Sequence, residues 1–509
     1  MNRNKTLLPV LFLALFFGTS CNGPPKGTVC KVNCGGGSGN ATVSFTLVAD
    51  TLPANPSILS FKVTIVGITL TPTTGTAQTL QPSSPIVNLM RLQSDTAFLG
   101  TLANVPAGSY TVQVTLSSPE MTFLNDTSST ITANGVTCRS GLVCTATLTA
   151  VGTPTISTFT FTASTSGQQG IEIDFNLKNA ISLSGGTLSV NFNPSAPNPG
   201  VFTAFTLPRT NANLGTSQLE LIEDFTGVVS LSGSKVTITS PTRGMLTTTS
   251  TSTSFFDPSP DSLICPTPSI ITCVVNGQIA SVDAFLNTDG TLSLKEFEPL
   301  NSTQQDFVEG TVFAVNTLTQ FGIAVTDKVQ AATNSLIGGL NTGDLLTVNI
   351  STNPVAKPFF VDSKGLALPA ASSGWFQGQT NTTAIHLGQT VAVHVTTFTA
   401  ATPTTIAIAT ADTVTLRWSR VTATPAVPLS STAFNITAIP SYFGFAQAST
   451  FGGQIFIGTS GTDGVTNLDG ILSGSPPAGS PAIAVRALFI ENAGNTLSPA
   501  FFAAKVRQH

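Results

Sequence analysis

Apolar and polar positions alternate with a period of two from residue 42 onward. In residues 42–49, Val43, Phe45, Leu47 and Ala49 alternate with Thr42, Ser44, Thr46 and Val48, which predicts a strand with one face turned inward. Phe61, Val63 and Ile65 continue the rhythm. The phase then slips at Val66-Gly67 to Val66, Ile68 and Leu70, and a slip beside glycine predicts a β-bulge. Val105-Pro106-Ala107-Gly108 reads as a turn leading into Tyr110, Val112, Val114 and Leu116. Residues 156–161 and 171–177 add strands, and residues 88–100 read as one short helix or loop. Many short strands separated by turn signals predict a β-sandwich over residues 41–208.

The remainder repeats itself weakly. Asp224-Phe225-Thr226-Gly227-Val228-Val229 returns as Asp306-Phe307-Val308-Glu309-Gly310-Thr311-Val312, with Gly277-Gln278-Ile279 as a looser copy. A turn feeding a strand occurs at Asn341-Thr342-Gly343-Asp344-Leu345 and again at Leu387-Gly388-Gln389-Thr390-Val391. Closing strands resemble one another at residues 290–294, 412–416 and 495–506. Such repetition predicts three small barrel-like units, over 221–302, 303–430 and 431–509. Residues 240–259 are rich in Thr and Ser and read as a long exposed loop.

Ahead of the first strand lies a targeting pattern. Arg3 and Lys5 precede an apolar run, Leu7 to Phe17, too short to span a bilayer. Gly18-Thr19-Ser20 then abuts Cys21, the arrangement of a bacterial lipobox, against the alternative of an ordinary secretory signal with an incidental cysteine. The expectation is a signal peptide over residues 1–20, acylation of Cys21, and a Pro- and Gly-rich tether over 21–40. Asn22 after the cysteine leaves export to the outer membrane or cell surface open. Setting Cys21 aside, the other cysteines fall into close pairs, Cys30/Cys34, Cys138/Cys144 and Cys265/Cys273. In an oxidising compartment these predict local disulfides, because no histidine cluster or second adjacent pair completes a zinc site.

Composition narrows the function. Charged residues make up 9% of the chain, against ~25% in an average soluble protein. A hydrophobic content of 41% supports a sizeable core. A formal charge of −4 excludes a nucleic-acid protein working through a broad basic face.

Candidate chemistry is sparse. His386, His394 and His509 are the chain's histidines, and each reads as a surface residue. No H-E-x-x-H or G-x-S-x-G motif occurs. Asn287, Asp289, Gly290 and Glu296 match part of a calcium loop, but Phe285 occupies its first position, so Asp289-Gly290 reads as a hairpin turn. The pairs Glu172/Asp174 and Glu296/Glu298 share the spacing of a strand face and are expected in solvent opposite an apolar face. Trp418 is in phase with Val414 and Leu416 and is expected in the core. Trp375-Phe376 is the one aromatic pair that, if exposed, offers a stacking surface for a sugar.

Residues 41–50, 105–112 and 171–177 resemble the bacterial domain of unknown function four-three-eight-two, found near the start of envelope lipoproteins. The later units, best seen in Ala484-Val485-Arg486-Ala487-Leu488-Phe489 and Ala503-Ala504-Lys505-Val506-Arg507, resemble the domain of unknown function five-six-six-six, whose copies are small OB-like barrels. The resemblance implies an all-β chain, an N-terminal β-sandwich followed by about three OB-like units, and supplies no catalytic residues. The expected role is that of a lipid-anchored cell-envelope protein, structural or interacting, without catalysis or cofactor, and held at the membrane by its lipid. The alternative is a carbohydrate-binding surface protein; the expected partner is a polysaccharide or another envelope protein, and not nucleic acid.

Overall fold

The computed structural model describes residues 40–508 except for short internal stretches, of which the longest are 152–158, 162–167, 193–199, 258–269, 445–452, 458–465, 471–482 and 491–499. The signal, Cys21, the tether to residue 39, Cys30, Cys34, Cys265 and His509 lie outside the described residues.

The first body is a β-sandwich, as the alternation predicts. Strand Asn40–Ala49 runs parallel to Gln168–Phe175 and antiparallel to Ala97–Pro106, with Phe202–Leu207 beyond Gln168–Phe175. The second sheet is built on the long pair Ser57–Pro72 and Gly108–Leu124. Its register shifts between Ile65 and Gly67, the bulge expected from the phase slip. Inward residues of these two sheets, among them Phe45, Phe61, Phe123 and Phe175, share one core with Ile131, Leu188 and Val190 of a third, five-stranded sheet. Phe175 stacks on Phe202 with ring centroids 4.3 Å apart. Each buried Phe of this kind stabilises by roughly 1.5–3 kcal/mol relative to exposure. Residues 88–100 contain a single 3-10 turn, Arg91–Gln93, at the edge of the sandwich.

Three five-stranded barrels follow. The first is closed from Gln218–Ser232, Lys235–Ser240, Gly244–Phe256, Ile279–Asn287 and Leu292–Asn301. Within it the third and fifth strands pair in parallel and the fourth returns to the first. The second barrel repeats that order with Asp306–Thr317, Gln320–Val329, Leu345–Ile350, Thr390–Thr399 and Ala407–Arg417. The third does so with Ser419–Ser430, Ala433–Thr437, Gly453–Ile457, Ile483–Ile490 and Ala500–Gln508. This is the five-stranded Greek-key barrel of OB type. Strand Ser419–Ser430, assigned by sequence to the end of the second unit, pairs within the third sheet.

The sequence repeats acquire physical reasons. Gly227 and Gly310 sit on the first strands where the second strand crosses closely: a Cβ would lie 2.4 Å from Thr239 O and 2.7 Å from Ala324 O, respectively. Gly277-Gln278 and Gly388-Gln389 build the same turn. The glutamine Oε1 accepts from the backbone N–H three residues earlier, Val275 at 3.1 Å and His386 at 2.7 Å. Asp289-Gly290 is the hairpin turn between the fourth and fifth strands of the first barrel, with Thr291 N–H donating to Asp289 Oδ1.

Several expectations fail. Much of the Thr/Ser-rich stretch is not a loop; residues 244–256 form the third strand of the first barrel, because Leu246 and Thr248 turn inward. His394 is buried, its Nε2 hydrogen-bonded to Leu300 O at 2.8 Å, rather than on the surface. The largest error concerns Glu172, Asp174, Glu296 and Glu298, which are all buried. The face opposite each core face is covered by the neighbouring unit instead of by water.

Candidate functional site

The four bodies meet at a charged interior. More than half of the chain's Asp, Glu, Lys and Arg residues are buried, the reverse of the usual distribution. A polar surface of Thr and Ser thus encloses the charge.

Backbone pairing places these groups. In each barrel a segment running parallel to the closing strand ends in an aspartate. Asp257 lies beside Glu298, Asp362 beside Arg417, and Asp469 beside Arg507. Across the fourth and fifth strands, Asp283 faces Glu296 in the first barrel, whereas Arg486 faces Lys505 in the third. Like charges directly opposite each other destabilise an isolated sheet. Each barrel's excess is compensated by the others.

Lys364 of the second barrel enters the acidic end of the first. Its Nζ lies 2.7 Å from Asp224, 3.4 Å from Asp283 and 3.7 Å from Glu298. Arg417 of the second barrel reaches Glu298 at 3.0 Å and also contacts Asp362. From the third barrel, Arg486 binds Asp224 at 2.6 Å and Glu223 at 2.7 Å, and Lys505 binds Glu223 at 2.9 Å. The sandwich joins through the turn at Arg91–Gln93. Arg91 bridges Glu309 and Asp327 of the second barrel, and Asp95 receives Arg420 of the third at 2.6 Å. Arg507 donates to Asp95 O and Thr96 Oγ1 while paired with Asp469.

Burial alone pulls the Lys364 ammonium down, but Asp224, Asp283, Glu296 and Glu298 together hold it well above its ordinary value. Burial pushes Asp224 up, and Arg486, Lys364, Arg417 and Arg420 outweigh it, leaving the carboxyl well below the usual range. Glu296 is different. Burial dominates, Lys364 at 4.0 Å offsets it only in part, and its pKa rises to about 8. Glu298 is likewise raised by burial, since Arg417 is shared with Asp362. On the sandwich side, burial with Asp50 and Glu172 pushes Asp174 up to about 7.

A cavity of about 220 Å³ opens within this junction, between the first barrel (Asp283, Lys295, Glu296), the second (Ser363, Lys364) and the third (Asn467, Arg486). Trp418, in the link between the second and third barrels, forms part of its wall and is buried as expected. The Arg486 guanidinium lies over the Trp418 ring, 5.6 Å from its centroid.

The residues singled out from sequence are scattered. Cys138 and Cys144 form a disulfide at the edge of the sandwich, with Cα atoms 5.9 Å apart. Cys273 is also disulfide-bonded. Trp375 is 36% exposed, while Phe376 is buried against Phe359, so the aromatic pair is split between surface and core. Neither lines the junction. Among the described residues no cluster of His, Cys, Asp and Glu is arranged to hold a metal. The junction itself escaped sequence reasoning. Its signal was present in charges lodged inside apolar strands, as in Leu219-Glu220-Leu221-Ile222-Glu223-Asp224-Phe225 and Ala503-Ala504-Lys505-Val506-Arg507.

Comparison with protein-family models, curated proteins and solved structures finds no match to this chain. The functional reading therefore rests on the junction and the surface alone.

Proposed function

We propose that this chain is an exported, lipid-tethered interaction platform of the cell envelope, without catalysis, that holds its surface loops in fixed relative positions. The observation that carries the reading is the ion network in which Lys364, Arg417, Arg486 and Arg91 each bridge carboxylates of another body. Buried pairs of this kind contribute little net stability but penalise every arrangement that separates them. A chain whose bodies needed to flex would connect them through mobile linkers instead. Acyl chains at Cys21 would supply membrane attachment, and the Gly-rich segment after it the reach.

Two measurements test the reading. Fatty-acid labelling in a bacterial host should be lost in Cys21→Ala, and unchanged labelling removes the anchor. Small-angle scattering of the full chain in detergent should fit one rigid body beyond the tether; a broad distribution of shapes removes the platform.

A second reading, polysaccharide recognition at the surface, draws on the exposure of Trp375, whose indole offers a stacking face. Binding to a panel of polysaccharides that disappears in Trp375→Ala would support it, and absence of binding to every glycan would end it.

A further inference from the structure

We infer that the junction cavity is a binding site for a small neutral polyol, of monosaccharide size, held between the three barrels. The inference stands apart from the tether and from Trp375, and would survive the failure of either.

Size comes first. The cavity measures about 220 Å³. It falls below the ~300–1,000 Å³ typical of sites for drug-sized ligands, which limits the occupant to one small molecule.

Charge excludes an ionic occupant. The wall carries Glu223, Asp283 and Glu296 against Lys295, Lys364 and Arg486. These satisfy one another: Arg486 with Glu223 at 2.7 Å, and Lys364 and Lys295 with Asp283 at 3.4 and 3.5 Å. An anion or cation would have to displace one of these partners and leave a buried charge unpaired.

Apart from Arg486 Nε, what remains unpaired is neutral hydrogen-bonding capacity. Among the described residues, both polar atoms of the Asn467 amide and the Trp418 indole N–H are buried without a hydrogen-bond partner. Glu296 Oε1 is in the same condition, and burial favours its protonated form, which both donates and accepts. A buried polar group left so is penalised, and a correctly placed partner recovers that cost. Hydroxyl groups donate and accept in the same way, so a compact polyol is the complement of this set. Leu221, Leu366 and Ala504 supply apolar wall for the carbon skeleton. Lys295, whose side chain is 33% exposed, marks the mouth.

The test uses the full chain in detergent. The sequence has two tryptophans, so Trp375→Phe leaves Trp418 as the sole tryptophan reporter, excited selectively over the two tyrosines. Titration with glucose, galactose, mannitol and glycerol should shift its emission for at least one polyol, with heat released in calorimetry. Glycine and phosphate should produce neither. Ser363→Trp, which fills the rim, should weaken binding by tenfold or more by calorimetry, with circular dichroism and Tm unchanged. Should that variant not fold, Asn213→Trp, at another point of the wall, takes its place. Three results would overturn the site: no response to any polyol at 100 mM, a response unchanged by the rim substitution, or a preference for glycine or phosphate.

Discussion

Arg417 and Glu298 belong to different barrels, yet the guanidinium of one lies 3.0 Å from the carboxylate of the other, and both are buried. The relationship follows from the repeated architecture. Each barrel puts an aspartate beside its closing strand, and in the second and third barrels an arginine of the same strand answers it. In the first barrel that place holds Glu298, and the answering cation comes from outside. The first barrel is thus incomplete in charge until the second docks.

Removing Arg417 should therefore cost more than an ordinary surface pair. Arg417→Met leaves Glu298 and Asp362 buried without their shared guanidinium. The expected loss is about 3–5 kcal/mol in urea unfolding, the range for breaking a buried pair. Replacing Glu298, Asp362 and Arg417 together by apolar residues should restore most of it. A single variant as stable as the parent would show that the pair does not hold the barrels together.

The buried acids also set a pH dependence. Glu296 and Glu220, with ordinary values of 4.5, are pushed up to about 8, burial being the largest cause in each. Such groups hold their proton more tightly when folded. Their contribution is complete below about pH 4.5 and is lost as pH rises toward 8. Asp95 works in the opposite sense: burial raises it, but Arg420 and Arg91 overcome this and hold it near 2. Its contribution is lost as pH falls from the ordinary 3.8 toward 2. Thermal unfolding should show the highest Tm at about pH 4–5 and a decline of several degrees by pH 8. Glu296→Gln should flatten the alkaline limb, and a parent whose Tm rises steadily from pH 5 to 8 would contradict the assignment.

The sequence made the strands legible because alternation survives wherever one face meets a core, as in Val43, Phe45 and Leu47. It made the repeats legible because Gly227 and Gly310 meet the same steric demand. The junction was not legible for the same reason that the strands were. A charged residue alternating with apolar ones, like Glu172 between Ile171 and Ile173, reads as solvent-facing when one sheet is considered alone. Only the packing of a second body on that face turns it inward, and periodicity within one strand carries no information about that body. The stretch at 244–256 failed differently. Its Thr and Ser residues are good strand formers or neutral ones on an exposed outer face, and composition hid the inward Leu246.

The Cys138–Cys144 disulfide closes a loop of sequence separation 6. A loop so short removes little freedom from the unfolded chain, so Cys138→Ala with Cys144→Ala should cost about 2 kcal/mol and leave the fold intact. Circular dichroism and urea titration of the double variant check this. A loss of cooperative unfolding would mean that the bridge organises the sandwich edge rather than stapling a turn.

The contact between the second and third barrels offers the sharpest steric test. Gly388 has φ of +83° and lies under the ring of Phe443, where a Cβ would meet Phe443 Cδ1 at 2.1 Å. The arrangement is reciprocal: Gly444 has φ of +72°, and a Cβ there would lie 2.7 Å from Leu387 Cδ1. Two glycine turns therefore interlock through each other's neighbours, and Phe443 continues into Phe489 and Phe501 of the third-barrel core. Gly388→Ala has no free rotamer with which to yield, because the clash involves the first side-chain atom and the backbone is left-handed. It should combine conformational strain of about 1–3 kcal/mol with overpacking of similar size. Relief is possible only if the Phe443 ring withdraws, so Gly388→Ala combined with Phe443→Ala should lose the clash and leave a cavity cost instead. The two changes should then be strongly non-additive in urea unfolding, with a coupling of about 1–3 kcal/mol. Additive losses would mean that the barrels do not meet at this point.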